Sequence, residues 1–275
     1  MKRFFLVMIL FFSCMLVALD RGGVDSVLVR LDRVMGQQEI YMEQKEERID
    51  SLKQLLHHSS LTLRQQFILN KALGAEYELF VSDSAMKYFD NSLLIADSLR
   101  SVPLVDEVRL CQTSVLSISG MYKEAWEMLH GIDRATLPDS LLPAFYDCGR
   151  QLYSFLANYS HNSSYAANYI RLQNAYRDSL LTVLSPALPE YRLYEAERFI
   201  ANQQFTHAKN MLVGLLHDQP ETSNIYARAA FSLAHLYKDE KQTDAYEKYL
   251  ALSAISDIKA SVKENAALSN LAFVL

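Results

Sequence analysis

Few residues in this chain are spaced for chemistry. His57 and His58 are adjacent, so on a helix their imidazoles point about 100° apart and cannot chelate one metal from one face. The other histidines are scattered, with no HExxH motif and no Cys/His zinc spacing. Glu195 and Glu197 also diverge on a helix, which argues against the paired carboxylates of glycoside hydrolysis. The eight glycines form no GxGxxG motif, P-loop or GxSxG elbow. The expectation is a non-enzyme, with no catalytic residue, no metal site and no cofactor.

Composition narrows the class further. Half of the 275 residues are hydrophobic and only 21% are charged, enough apolar surface to build a core. The net charge is −5 and the lysines and arginines are dispersed, so no basic surface for direct nucleic-acid contact is visible. Of the three cysteines, Cys111 and Cys148 fall on helical faces of neighbouring segments. They read as small buried hydrophobes, with a disulfide as the alternative. Asn158 and Asn162 form Asn-x-Ser sequons, which matter only in a eukaryotic secretory pathway.

The elements that would position any site are helices. Alternating strand patterns are nearly absent, and all six prolines sit between helical patterns. In "FTHAKNMLVGLLHDQP" (205–220), Ala208, Leu212 and Leu215 recur at i, i+4 and i+7, the stripe of an amphipathic helix. The same small-then-large spacing appears at Ala85/Phe89, Ala125/Leu129, Ala166/Ile170, Ala208/Leu212 and Ala245/Tyr249. Those alanines are 40, 41, 42 and 37 residues apart. Each is preceded by a helix with a small residue three positions before a large one: Gly74/Tyr77, Thr113/Leu116, Gly149/Leu152, Ala196/Phe199 and Ala234/Tyr237. A small residue lets the next helix approach, and the large one fills the space beside it. Two helices per unit and about five degenerate units predict an all-α solenoid over 61–275, behind a long helix in 20–60.

The spacing resembles the tetratricopeptide repeat (TPR), whose first helix carries Leu-Gly-x-x-Tyr and whose second carries Ala-x3-Phe. "LGAEY" (73–77) with "AMKYF" (85–89) matches closely, as does "SLAHLY" (232–237) with "AYEKY" (245–249). The third pair is stretched between its helices. The period near 40 exceeds the usual ~34 of the family. In TPRs the concave groove is lined by first-helix residues. The resemblance therefore implies a partner groove carrying Tyr194 and Glu197 from one repeat and Ser232 and His235 from the next, flanked by Arg228 and Lys238. The Lys/Asn carboxylate clamp of some TPRs is not reproduced at the matching positions. The implied guest is a peptide or protein ligand.

The N-terminus "MKRFFLVMILFFSCMLVAL" pairs Lys2 and Arg3 with a short apolar run, too short for the ~20 residues of a spanning helix. It reads as a signal peptide over 1–19, with an uncleaved anchor or a lipoprotein processed at Cys14 as alternatives. From 24 to 58, Leu28, Met35, Met42, Ile49 and Leu56 recur at sevens, with Leu31 and Leu52 on the adjacent seam. Gln38 and Lys45 interrupt that seam, so it reads as a helix capping the first repeat, with weak homo-association through a coiled coil as the alternative.

"LDRVM" and "KEERIDSLKQLL" at the front, with "YIRLQNAYRDSLL" (169–181), resemble a Bacteroidetes domain family of unknown function. Its members look like exported TPR sensors with a later transmembrane helix and a cytoplasmic regulatory tail. The resemblance implies a periplasmic or inner-membrane-associated interaction scaffold, the sensing portion of a regulator. Any membrane contact would run only through the N-terminus or a missing C-terminal segment. The rival class is a glycan-binding or glycan-processing helical protein of the cell envelope, although such proteins usually display several tryptophans and this chain has only Trp126. Six Asp-Ser-aliphatic triplets, among them those at Ser84 and Ser140, look like O-glycosylation acceptors of that phylum; helix capping is the plainer reading. Finally, "ENAALSNLAFVL" (264–275) repeats the first-helix pattern with no second helix after it. That predicts partly open Leu268, Leu271 and Leu275 and a chain cut from a longer one.

Overall fold

The structure is a computed structural model that describes residues 23–58, 60–263 and 265–274. The proposed signal peptide and Leu275 lie outside the described residues. Every regular element among those residues is a helix, and they form two compact units: 43–204, and 23–42 together with 205–274.

Unit 43–204 contains the end of α2 (Gln38–Leu56), then α3 (Leu63–Tyr77), α4 (Ser82–Ser98), α5 (Val102–Ile118), α6 (Tyr122–His130), α7 (Leu142–Tyr159), α8 (Ala166–Val183) and α9 (Pro189–Ala201). The helix starts follow local chemistry. The Thr62 hydroxyl accepts from the Gln65 amide while the Gln65 side chain accepts from the Thr62 amide, a reciprocal cap that opens α3. Pro103, Pro143 and Pro189 sit in the first turns of α5, α7 and α9, inside the helices rather than between them, where the missing N–H is no loss.

In α3/α4 the small-large code holds. Phe89 fills the notch left by Gly74, where a methyl group would overlap its ring, and Ala85 four residues before it is fully buried. Ala125 and Leu129 of α6 are buried in the same way. The α7/α8 pair departs from the code. Ile170 is 48% exposed and Ala166 only half-buried, so that register is corrected. The notch at Gly149 is filled by Tyr176, whose ring packs near Phe145, Tyr146 and Tyr153. From glycine to ring is 27 residues here, 149 to 176, against 15 from Gly74 to Phe89. The surplus of 12 residues, shared between two antiparallel helices, lengthens the α7/α8 hairpin by roughly 9 Å at about 1.5 Å per residue.

The second unit joins α1 (residues 23–36) and the start of α2 to α10 (Phe205–Asp218), α11 (Asn224–Asp239), α12 (Thr243–Lys259) and α13 (Ala266–Ala272). Ala208, Leu212 and Leu215 of α10 are fully buried, as their spacing predicts. In α12 the code slides by one residue: Tyr246 and Leu250 are buried, while Tyr249 stacks on Tyr237 with centroids 5.4 Å apart. Leu31 and Val34 of α1 pack with Ala234, Leu250, Ile255, Ile258 and Leu271. The front of the long N-terminal segment thus belongs with the last helices; only its later part, from Glu43, sits with the first repeat. The segment is also interrupted at Gln37 and does not run as one helix. Its heptad reading misplaced Met35, which is exposed, because an unsupercoiled helix follows a 3.6-residue period that drifts away from strict sevens. Leu271, expected to be partly open, is 2% exposed on α13, and Leu268 is half-buried.

A second repeated signature lies in the turns. Arg100, Gly120, Gln203, Lys241 and Ser261 all take positive φ, between 52° and 77°. Each follows a helix whose end is closed by a six-residue amide-to-carbonyl bond, such as Met121 N to Leu116 O and Gln242 N to Tyr237 O. Only one of the five is glycine, so the motif leaves little trace in residue type.

Candidate functional site

The groove-register residues are best traced unit by unit. In unit 43–204, Tyr194 and Glu197 lie on α9, three residues apart and therefore on one face. Tyr194 is only 4% exposed, and its hydroxyl donates to Asp147 Oδ1 at 2.9 Å. Arg150 lies over the Tyr194 ring at 4.9 Å, donates from Nε to Asp147 Oδ1 at 2.7 Å, and approaches Glu197 Oε2 at 3.8 Å. The buried Arg177 of α8 donates to the Glu197 carbonyl at 3.3 Å and to Asn174 and Asp178. Glu197 is therefore held through both its side chain and its backbone.

Asp147 and Arg150 stand at −2 and +1 from the notch residue Gly149, as Tyr194 and Glu197 stand from Ala196. Equivalent positions of successive first helices meet, Tyr194 hydrogen-bonded to Asp147 and Arg150 ion-paired with Glu197. Sequence reasoning missed Asp147 and Arg150, although extending the same register one repeat toward the N-terminus finds them. The polar face continues toward the front of the unit. Ser114 of α5 donates to Gln151 of α7 at 3.1 Å, and Lys71 of α3 pairs with Glu107 of α5. Glu78, just after α3, is pushed above the usual carboxylate range by burial; a hydrogen bond with Ser114 opposes the shift and the Asp147 charge adds to it.

In the second unit, Arg228, Ser232 and His235 recur at i, i+4 and i+7 on α11 and are all half-buried. The His235 ring packs edge-on to Phe231 at 4.5 Å and faces Tyr246 of α12 at 6.4 Å. Burial, then the nearby Lys238 charge, lowers its pKa against a smaller opposing effect of Asp239. Lys238, exposed at the helix end, reaches over the Tyr246 ring at 5.4 Å. His235 and Lys238 thus converge on one aromatic ring, while the other two candidates stand one and two turns earlier.

Among the described residues, no group of three or more His, Cys, Asp or Glu side chains converges as a metal site. Glu195 pairs with Arg198 at 2.9 Å instead of with Glu197. Cys111 and Cys148 are free thiols. Cys148 donates to the Leu110 carbonyl at 3.3 Å, and burial pushes the Cys111 thiol up to about 12, so neither is a ready nucleophile. The Asp-Ser triplets do not cap helices: Ser26, Ser51, Ser98 and Ser179 bond back to carbonyls three or four residues earlier, and the exposed Ser140 sits in a short 3-10 turn.

Residues 35–275 match the model of the SusR N-terminal TPR domain, and the chain belongs to that family. No curated protein matches it. Domains of this type generally mediate protein–protein interaction and are generally non-catalytic.

Proposed function

We propose that this member of the SusR N-terminal TPR domain family is the non-enzymatic sensing portion of an exported, membrane-associated regulator, taking a peptide or protein ligand on its first-helix faces. The observation that carries the reading is the pairwise bonding of equivalent first-helix positions, Asp147 with Tyr194 and Arg150 with Glu197, within a chain of regulator-family descent. Interhelical bonds of this kind preorganise a polar surface before any ligand arrives, which lowers the ordering cost of binding. Among the described residues no helix is long and apolar enough to cross a membrane. Membrane association in this reading comes from the apolar N-terminus or from a further segment of the regulator.

The ligand is tested by placing a photo-crosslinking residue at Ser232 or Gln151, and at Lys87 on α4 as a control, in cells. Peptide-bearing adducts at the first two positions and none at the third are expected. Equal yields at all three would remove the groove assignment. Export is tested separately with residues 1–40 fused to a reporter active only outside the cytoplasm. Activity that is lost on deleting 4–16 is expected, and retention of the intact fusion in the cytoplasm sinks that part of the proposal.

A further inference from the structure

Ser114 of α5 and Gln151 of α7 are hydrogen-bonded and stand 37 residues apart. Cys111 and Cys148 are separated by the same interval, and each lies three residues before one member of that bonded pair. Residues three apart share a helix face, so the two cysteines sit one turn before a contact that already joins α5 to α7. They are also the only cysteines beyond residue 14, so a bridge within residues 20–275 has one possible connectivity.

A second contact brings them closer. The Cys148 thiol donates to the Leu110 carbonyl at 3.3 Å, and that carbonyl belongs to the peptide bond leading into Cys111. Standard bond lengths put Cys111 Cα about 3 Å from the carbonyl oxygen, so Cys148 Sγ lies within about 6 Å of Cys111 Cα. A disulfide holds its two Cα atoms ~4.4–6.8 Å apart, a separation that helices sharing both contacts can reach without a change of register.

We infer that Cys111 and Cys148 are a disulfide site, closed by thiol–disulfide exchange as the exported chain folds. Where the bond forms rests on the export part of the function proposed above; whether it can form rests on α5 and α7 alone. The oxidant is the disulfide of an oxidising thiol–disulfide exchange partner. One cysteine thiolate attacks that disulfide and displaces one of its sulfurs; the second cysteine then attacks the mixed disulfide and displaces the other. The S–S bond passes to the chain, the partner gains two electrons, and the two thiol protons end on its two sulfurs. In the unfolded chain both thiols ionise near the ordinary ~8.5. Burial in the fold pushes Cys111 up to about 12 and raises Cys148 as well. Free, the buried thiols are then slow to attack; joined, they are slow to leave. The fold preserves whichever state it closes on. A bond made during folding pins α5 to α7 one turn from the Ser114–Gln151 contact and fixes the spacing of two groove helices.

The full chain, unfolded in urea, is refolded into mixtures of reduced and oxidised glutathione, quenched with acid, and its bridged Cys111 and Cys148 peptides are counted by mass spectrometry. The same mixtures with the chain left in urea are the reference. The bridge should survive in the folded chain at a ratio of squared reduced to oxidised glutathione at least about tenfold higher than in urea, about 30 mV in potential. An equal or lower ratio, or glutathione held on both sulfurs in place of the bridge, overturns the inference. In cells, free thiols are blocked with an alkylating agent before lysis. The exported chain should carry the bridge, and the chain lacking residues 4–16 should carry two blocked thiols. An exported chain with both thiols blocked also overturns the inference. If the intact chain itself stays in the cytoplasm, the export reading has failed, and the glutathione equilibrium still decides this one.

Discussion

The pairs α3/α4 and α7/α8 begin from the same device, a glycine on the first helix that admits an aromatic ring from the second, and they diverge from there. In α3/α4 the ring, Phe89, lies four residues after a buried alanine, and Tyr77 stacks on Tyr88 at 5.7 Å just before a short turn. In α7/α8 the ring is Tyr176, and the alanine-led Ile170 is exposed beyond it. The register of a pair is therefore set by which ring enters the notch. Extra residues are extruded toward the turn, and there they become free to carry a different surface.

The largest effects should come from removing the rings. Phe89→Ala is expected to cost about 3–5 kcal/mol and Tyr176→Ala, whose ring is partly exposed, about 2–4 kcal/mol, measured by urea unfolding. If Tyr176→Ala cost no more than a surface substitution, the notch account of α7/α8 would be wrong. Filling the notches comes next. Gly74→Ala and Gly149→Ala each drive a methyl into a ring, an overpacking expected to cost ~1–3 kcal/mol, and Ala208→Leu at a fully buried alanine belongs in the same range. Unchanged thermal midpoints for the glycine variants would show that the rings can swing aside.

A smaller effect sharpens the comparison in α12, the other helix that leaves the code. Asp257 there is half-buried, and burial alone pushes its carboxyl up to about 7. A carboxyl whose folded pKa lies above its unfolded value destabilises the fold as pH rises from about 4 to about 7, since the unfolded chain ionises first. Asp257→Asn should therefore raise the thermal midpoint at pH 8, by the equivalent of about 1–2 kcal/mol, and leave it unchanged at pH 4. Equal shifts at both values would rule out ionisation as the cause. The smallest effects belong to the residues that the simple code overvalues. Ala166→Leu and Ile170→Ser should each stay within about half a kcal/mol, where Ala85→Leu costs ~1–3. A large loss at Ile170 would restore the alanine-led register.

The all-α class and the pairing of helices were legible in the sequence because small-large spacings at Ala85, Ala125 and Ala208 coincide with buried contacts. Spacing alone could not show that a tyrosine six residues downstream would outcompete Ile170 for the Gly149 notch. Nor could it show that Leu250 would take the fully buried place while Tyr249, at the margin of the core, stacks on Tyr237. The positive-φ turns were invisible for another reason: Arg100, Gln203, Lys241 and Ser261 adopt a conformation associated with glycine, each beside the amide-to-carbonyl bond that closes the preceding helix. From the sequence, Tyr194 and Glu197 could be set three residues apart on one helix, but the residues that hold them could not be found. Asp147 and Arg150 lie in the least TPR-like pair, where the motif is hardest to align, yet they make the bonds that hold Tyr194 and Glu197.

The docking of α1 has a consequence for how the chain is made. Its partners Ala234, Ile255 and Leu271 lie some 200 or more residues downstream, and the whole of unit 43–204 is synthesised in between. At about 5–20 residues per second, α1 waits for tens of seconds after leaving the ribosome before its partners exist. During that interval unit 43–204 has every sequence it needs to fold, while Leu31 and Val34 have no surface to cover them. The second unit is thus topologically last: it completes only when a loop of 162 residues, from 43 to 204, has closed behind it. Because closure entropy grows only logarithmically with length, a pre-folded intervening unit makes that step a matter of timing more than of stability.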